Sequence, residues 1–212
     1  MRDILMNDDT LRRKGENPVR TIVVATRNPG KIAEYRVLFA GCGVDVTSLL
    51  DLPDGPDVAE TGTTFAENAL LKARAAAGPG TIAIADDSGL EVAALGGAPG
   101  IRSQRYSDSG TASDNNAKLL AALAGVRDRR ARFVCTIAVL RPDGSHRFYV
   151  GALEGVIAER PRGSGGFGYD PLFFVPGEGR TVAELDPARK NAISHRGRAF
   201  AAMMADRDWW MR

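Results

Sequence analysis

The chain has 212 residues, 44% of them hydrophobic and 25% charged, which suits a folded domain with a sizeable apolar interior and excludes disordered and fibrous classes. Lys and Arg number 28 against 26 Asp and Glu, a formal net charge of +2. That balance lacks the basic excess of a protein that grips a long polyanion, so any anionic partner is small and no nucleic-acid polymer is expected; no apolar run approaches the roughly 18 residues that span a bilayer, so no membrane is expected either.

Residues 1–20 mix charges of both signs without a continuous apolar stretch and read as a poorly ordered extension rather than a signal peptide. Thr21–Ala25 is a β-branched run with no polar interruption, the pattern of a strand buried on both faces. Asn28 then caps a helix that starts at Pro29 and runs to about Ala40, with Gly41 and Gly43 as its stop. After a Pro/Asp-rich loop at Asp51–Asp57, Thr64 and Glu67 form a capping box that opens a helix to about Ala77. Thr81–Ala85 is a second buried strand, ending directly at Asp86-Asp87-Ser88-Gly89. Gly96–Gly110 reads as loop and Asp114–Ala124 as a helix with Leu119, Leu120 and Leu123 inward. Arg132–Leu140 and His146 to about Glu159 form a hairpin around Pro142-Asp143-Gly144. A glycine-rich loop at Pro161–Asp170, a short helix from Thr181 and a last helix from Ser194 to Ala205 complete an α/β fold with a mixed sheet. The two cysteines, Cys42 and Cys135, lie far apart with no Cys or His at ligand spacing, which fits a reducing cytosol and no zinc site.

Four segments can carry chemistry. Thr26-Arg27-Asn28-Pro29-Gly30-Lys31 places a helix N-terminus and a lysine directly after a buried strand, which suits a phosphate and equally suits an ordinary capped helix. In Asp86-Asp87-Ser88-Gly89, adjacent strand side chains alternate, so one carboxylate can face a ligand while the other supports the structure; Mg2+ takes one or two carboxylates plus substrate phosphates. Glu60, in the loop before the capping box, could add a further carboxylate. Gly163–Asp170 contains G-x-G-x-x-G but leads into Tyr-Asp-Pro rather than a helix, so it reads as a loop in which Phe167 or Tyr169 offers a π-face to a base and Asp170 an acceptor. Finally, Ser194 caps the last helix and puts His195 and Arg196 in its first turn, where cations oppose the helix dipole and point to a nearby anion or acceptor-rich ligand.

Together these segments resemble the Ham1-type inosine triphosphate pyrophosphatase family. The resemblance rests on T-R-N-P-G-K, E-T-G-x-T-F-x-E-N-A-x-x-K-A, A-D-D-S-G-L, L-G-G-A-P-G-I, G-G-F-G-Y-D-P and K-N-A-I-S-H-R-G, in that order from Thr21 to the C-terminal helix. It implies an elongated mixed sheet flanked by helices, two lobes around a central cleft within residues 21–212, a homodimer, and a cytoplasmic, Mg2+-dependent diphosphatase. Such an enzyme converts ITP, dITP and XTP to the monophosphate and pyrophosphate. By the same resemblance, Thr26, Arg27, Asn28, Pro29, Gly30 and Lys31 would hold the triphosphate, with Asn28 and Lys31 in direct contact. Asp87 would bind the metal and act as base, with Asp86 in support and Ser88 on the substrate. Phe167, Gly168, Tyr169 and Asp170 would line the nucleoside pocket, and Lys190, His195 and Arg196 would read the purine keto group and help hold the ligand. One departure concerns the metal: relatives can carry two acids before T-G, whereas this chain has Ala59-Glu60, leaving Glu60 as the second candidate ligand.

Overall fold

The computed structural model describes residues 21–51 and 58–211; the expected extension at 1–20 and most of the Asp51–Asp57 loop lie outside the described residues. Its centre is a seven-stranded mixed sheet in the order β2-β1-β3-β4-β5-β6-β7. The strands are β1 (Thr21–Val24), β2 (Asp45–Ser48), β3 (Ile82–Val92), β4 (Arg130–Leu140), β5 (His146–Ile157), β6 (Phe173–Val175) and β7 (Arg180–Thr181). Helices α1 (Pro29–Phe39), α2 (Phe65–Ala75), α3 (Ala112–Ala122), α4 (Pro187–Ile193), α5 (His195–Ala205) and α6 (Arg207–Trp210) flank it. β1 pairs in parallel with β2 and β3, and every later pairing is antiparallel.

Strand alternation sorts the core into two unlike faces. Ile22, Val24, Ile82 and Ile84 point toward α1 and α5, where they pack with Tyr35, Phe39 and Phe200. Val23, Ala25, Ala83, Ala85 and Ala138 point the other way, against Ala69 and Ala73 of α2. Alanine on alanine lets α2 lie close to the sheet, within reach of its longer polar side chains. A third cluster, including Leu90, Phe133, Leu153 and Phe173, fills the far half of the sheet with Leu119 and Leu123 of α3.

Several sequence expectations need correction. β3 does not end before the acidic pair; it runs through Asp86, Asp87, Ser88 and Gly89 to Val92, hydrogen-bonded to β4 throughout. What ends there is its other neighbour: β1 pairs with β3 only as far as Val24 opposite Ile84. The acids therefore sit mid-strand at the point where one edge of β3 opens. A 3₁₀ segment at Gly100–Arg105 lies within the stretch read as loop, and Thr181 ends β7 and caps a 3₁₀ turn, with Glu184 closing a capping box, rather than opening a helix. β2, β6 and α4 escaped sequence reading because two are strands of three or four residues and the helix has only seven, too short for a periodic signal.

Candidate active site

The open edge of β3 faces two adjoining cavities. One, about 300 Å³, is walled by Phe133, Phe167, Tyr169, Asp170, Lys190 and His195, with Asp87 and Ser88 on its floor. The second, about 340 Å³, is walled by Thr26, Arg27, Asn28, Pro29, Lys31 and Lys72. Asn28, Lys31, Glu60 and Gln104 line both and define the waist between them. One compartment is aromatic with a few polar groups; the other is a helix N-terminus ringed by cations.

The cap at α1 forms as the sequence requires. Asn28 Oδ1 accepts from the Lys31 backbone NH at 3.2 Å, and Thr26 Oγ1 accepts from the Asn28 NH at 3.2 Å. A side chain at Gly30 would meet Phe167, since a Cβ there lies 2.6 Å from Phe167 Cδ1. Gly30 thus lets the aromatic loop close on α1.

Asp86 and Asp87 continue the two faces of β3. Asp87 extends the alanine row toward α2, where Lys72 Nζ lies 2.9 Å from its Oδ1 and Asn68 Nδ2 donates to its Oδ2 at 3.3 Å. Lys72 Nζ also lies 3.1 Å from Glu60 Oε1, and Arg105 Nη1 holds the other oxygen of Glu60 at 2.8 Å. Asn68 Oδ1 accepts from the Gly62 NH at 2.8 Å and so fixes the turn beside Glu60. Burial raises the Asp87 pKa above the ordinary carboxylate value, against the pull of Lys72 and Lys31. Burial acts on Glu60 in the same sense, but Lys72 and Arg105 outweigh it and its pKa is lowered. Lys72 remains cationic: burial disfavours its charge, and Asp87, Asp86 and Glu60 together raise its pKa.

Asp86 extends the isoleucine row and has a different setting. Its Oδ2 is 2.9 Å from both Lys31 Nζ and Arg196 Nη2. Burial alone would raise its pKa; Arg196, Lys31 and Lys72 override it and hold the group far below the usual carboxylate range. Arg196 also pairs with Glu34 at 2.5 Å and donates to Ser88 Oγ at 3.0 Å. Glu34 in turn holds Lys190 at 2.7 Å, and Lys190 reaches Asp170 at 2.6 Å and lies 4.6 Å from the Phe167 ring centroid. A continuous ionic chain therefore runs from Lys31 through Asp86, Arg196, Glu34 and Lys190 to Asp170, both of its ends lining the cavities.

The first-turn charges of α5 are resolved by this packing. Ser194 caps the helix, accepting from the Gly197 NH at 3.0 Å. His195 stacks on Phe133 with centroids 4.9 Å apart, and burial followed by Arg196 drives its pKa well below the ordinary histidine value, so the ring is neutral. Arg196, 1% exposed, faces carboxylates instead of solvent. Of the residues singled out from sequence, Thr26, Arg27, Asn28, Pro29 and Lys31 reach the cationic compartment, and Ser88, Phe167, Gly168, Tyr169, Asp170, Lys190 and His195 the aromatic one. Asp86, Arg196 and Gly30 stand behind the cavity walls.

Sequence reading passed over Glu34, Asn68, Lys72, Gln104 and Arg105. Helical spacing held a signal for three of them: Glu34 follows Lys31 by three residues on α1, and Lys72 follows Asn68 by four on α2, so each pair shares a helix face.

The Ham1 family model matches residues 22–206 of the chain. The dITP/XTP pyrophosphatase of Geobacillus kaustophilus is 52% identical over 195 residues, covering 90% of this chain and 95% of that protein. That of Frankia alni is 54% identical over 188 residues, covering 84% and 93%. Among solved structures, a HAM1 protein from Coxiella burnetii superposes with a TM-score of 0.81 at 43% identity, covering 90% of this chain and all of that one (100%). The Staphylococcus aureus Ham1 protein gives 0.79 at 43% identity, covering 90% and 99%. With both its sequence and its seven-stranded sheet accounted for in this way, the chain belongs to the Ham1 family.

Proposed function

We propose that the protein hydrolyses deaminated purine nucleoside triphosphates, ITP, dITP and XTP, to the monophosphate and pyrophosphate. The observation that carries this reading is the placement of Asp87, with its raised pKa, on the floor of the aromatic compartment and 2.9 Å from Lys72, which lines the cationic one. A purine fits between Phe167 and the His195–Phe133 stack, and the triphosphate fits the Thr26–Lys31 turn with Lys31 and Lys72. The Geobacillus and Frankia relatives are named dITP/XTP pyrophosphatases.

Asp87 takes the proton of the attacking water. A carboxylate with a raised pKa is a stronger base than a solvated one, and Asn68 holds its far oxygen in place. Lys31, Lys72 and the α1 N-terminus face the negative charge that accumulates on the phosphate oxygens. Asp86, locked to Arg196 and Lys31, stays ionised and keeps those cations aimed. Discrimination against adenine follows from donors: a purine 6-keto oxygen accepts from a cationic group such as Lys190, whereas an adenine amino group would leave that donor unpaired.

The donor set also fits magnesium. Asp87 and Glu60 are hard oxygen ligands facing one cavity, and both already gather around a single positive charge, Lys72 Nζ. Bound there with the phosphates, the ion would supply Lewis-acid polarisation of a phosphoryl oxygen. We further place the enzyme in the cytosol and as a homodimer, in line with its reduced, unpaired cysteines and its family. The test is a panel of ITP, dITP, XTP, ATP and GTP, assayed for pyrophosphate with and without Mg2+. Release from ITP or XTP far above ATP and GTP, dependent on Mg2+, is expected. Equal hydrolysis of ATP and GTP would reject the specificity, and tight ITP binding without turnover would make the protein a nucleotide sensor.

A further inference from the structure

We infer that Gln104 is a substrate-binding residue whose side-chain amide hydrogen-bonds a ribose hydroxyl at the waist of the site. The inference rests on the nucleotide reading above and concerns a position to which no role has been given. Gln104 lines both compartments, as Asn28 and Lys31 do, but is carried by a different segment of the chain. With a base in the aromatic compartment and phosphates in the cationic one, the sugar is the part of the nucleotide that crosses the waist.

The backbone that presents Gln104 is braced on every side. Asn115 Nδ2 donates to the Gln104 carbonyl at 3.0 Å and to the Ser103 carbonyl at 3.4 Å, and Tyr169 Oη donates to the Ser103 carbonyl at 2.8 Å. Ser103 Oγ accepts from the Leu90 NH of β3 at 2.8 Å and donates to the Gly100 carbonyl at 2.6 Å. Arg105, the next residue, is anchored on Glu60. β3 itself runs so close that a Cβ at Gly89 would collide with the Gly100 carbonyl and lie 2.6 Å from Ser103 Oγ. The Gln104 side chain is exposed, and among the described residues its amide has no hydrogen-bond partner. A rigid turn thus holds out one unused neutral donor and acceptor pair. A neutral amide suits a hydroxyl, which both donates and accepts; the fully charged phosphates have the cations of the neighbouring compartment.

A substrate–protein cycle tests this. Wild type and Gln104→Ala are assayed for pyrophosphate release from ITP, from dITP, which lacks the 2′-hydroxyl, and from 3′-deoxy-ITP. The expected result is a fall in kcat/KM for ITP of roughly 3- to 10-fold, the size of one neutral hydrogen bond, and a fall below about 2-fold for the one analogue lacking the hydroxyl that Gln104 holds. Gln104→Asn, with the same amide on a shorter stem, recovers part of the ITP loss. Equal losses on all three substrates would overturn the inference by placing the contact on phosphate or base, and so would no loss on any. Wild type inactive on ITP would instead overturn the nucleotide reading itself.

Discussion

Arg196 and Asp86 meet at 2.9 Å in the interior, at 1% and 0% side-chain exposure, and join the two halves of the site. Removing one partner strands the other charge away from water. Asp86→Ala should therefore lower unfolding free energy by about 3–5 kcal/mol, read from urea or thermal denaturation. An equally stable variant would show that Glu34 and Ser88 alone satisfy the arginine.

The same pair sets an acid limit on stability. Asp86 has a folded pKa far below the ordinary carboxylate range, held there by Arg196, Lys31 and Lys72 against its burial. Its contribution is therefore complete above about pH 4 and is lost as pH falls further, because the unfolded chain takes up the proton first. Wild type should lose melting temperature steeply between about pH 4 and pH 2, and Asp86→Asn, destabilised already at neutral pH, should show a shallower slope in that window. Parallel curves would assign the acid sensitivity to other carboxylates.

Asp87→Asn should reduce kcat on ITP by about 10²- to 10⁴-fold, the range of a lost general base. The fold should survive, since the asparagine oxygen can still accept from Lys72. Circular dichroism and melting separate the outcomes: an active variant removes Asp87 from the chemistry, and an unfolded one makes its role structural.

Lys72 competes with a divalent cation for the same two carboxylates. Lys72→Met leaves Asp87 without an ion-pair partner and Glu60 with Arg105 alone, so Mg2+ without nucleotide should stabilise the variant by about 1 kcal/mol more than wild type, roughly 2–4 °C in melting temperature. Turnover should fall, because a phosphate-facing cation is lost. No added response to Mg2+ would place the metal elsewhere.

How much of this could be read from the chain depended on the length over which each signal extends. The Asn28 cap, the Thr64–Glu67 capping box and the Ser194 cap are local, and each forms with the hydrogen bonds that its residues imply. The end of β3 is not local. Asp86 and Asp87 read as a break in an apolar run, but antiparallel pairing with β4 carries the strand to Val92, and burial of charge is tolerated because Lys31, Lys72 and Arg196 arrive from three helices. The roles of the two acids had a signal in sequence that alternation makes visible. Asp87 is in step with Ala83 and Ala85, the face a helix can approach closely, and Asp86 is in step with Ile82 and Ile84. Arg105 had no such signal, since it is defined by a partner far away in sequence.

The ion pairs of the cleft have a consequence for encounter. Lys31, Lys72, Arg105, Lys190 and Arg196 are each matched by Glu34, Glu60, Asp86, Asp87 or Asp170, so this ionic array has no net charge to draw in a distant anion. Attraction begins only when phosphate oxygens come near enough to compete with the carboxylates one by one. Capture should then depend little on ionic strength, with kcat/KM changing less than about 2-fold between roughly 50 and 200 mM salt. The matched array keeps small polyanions from lodging there by charge alone and leaves admission to shape and to the cation that travels with the nucleotide.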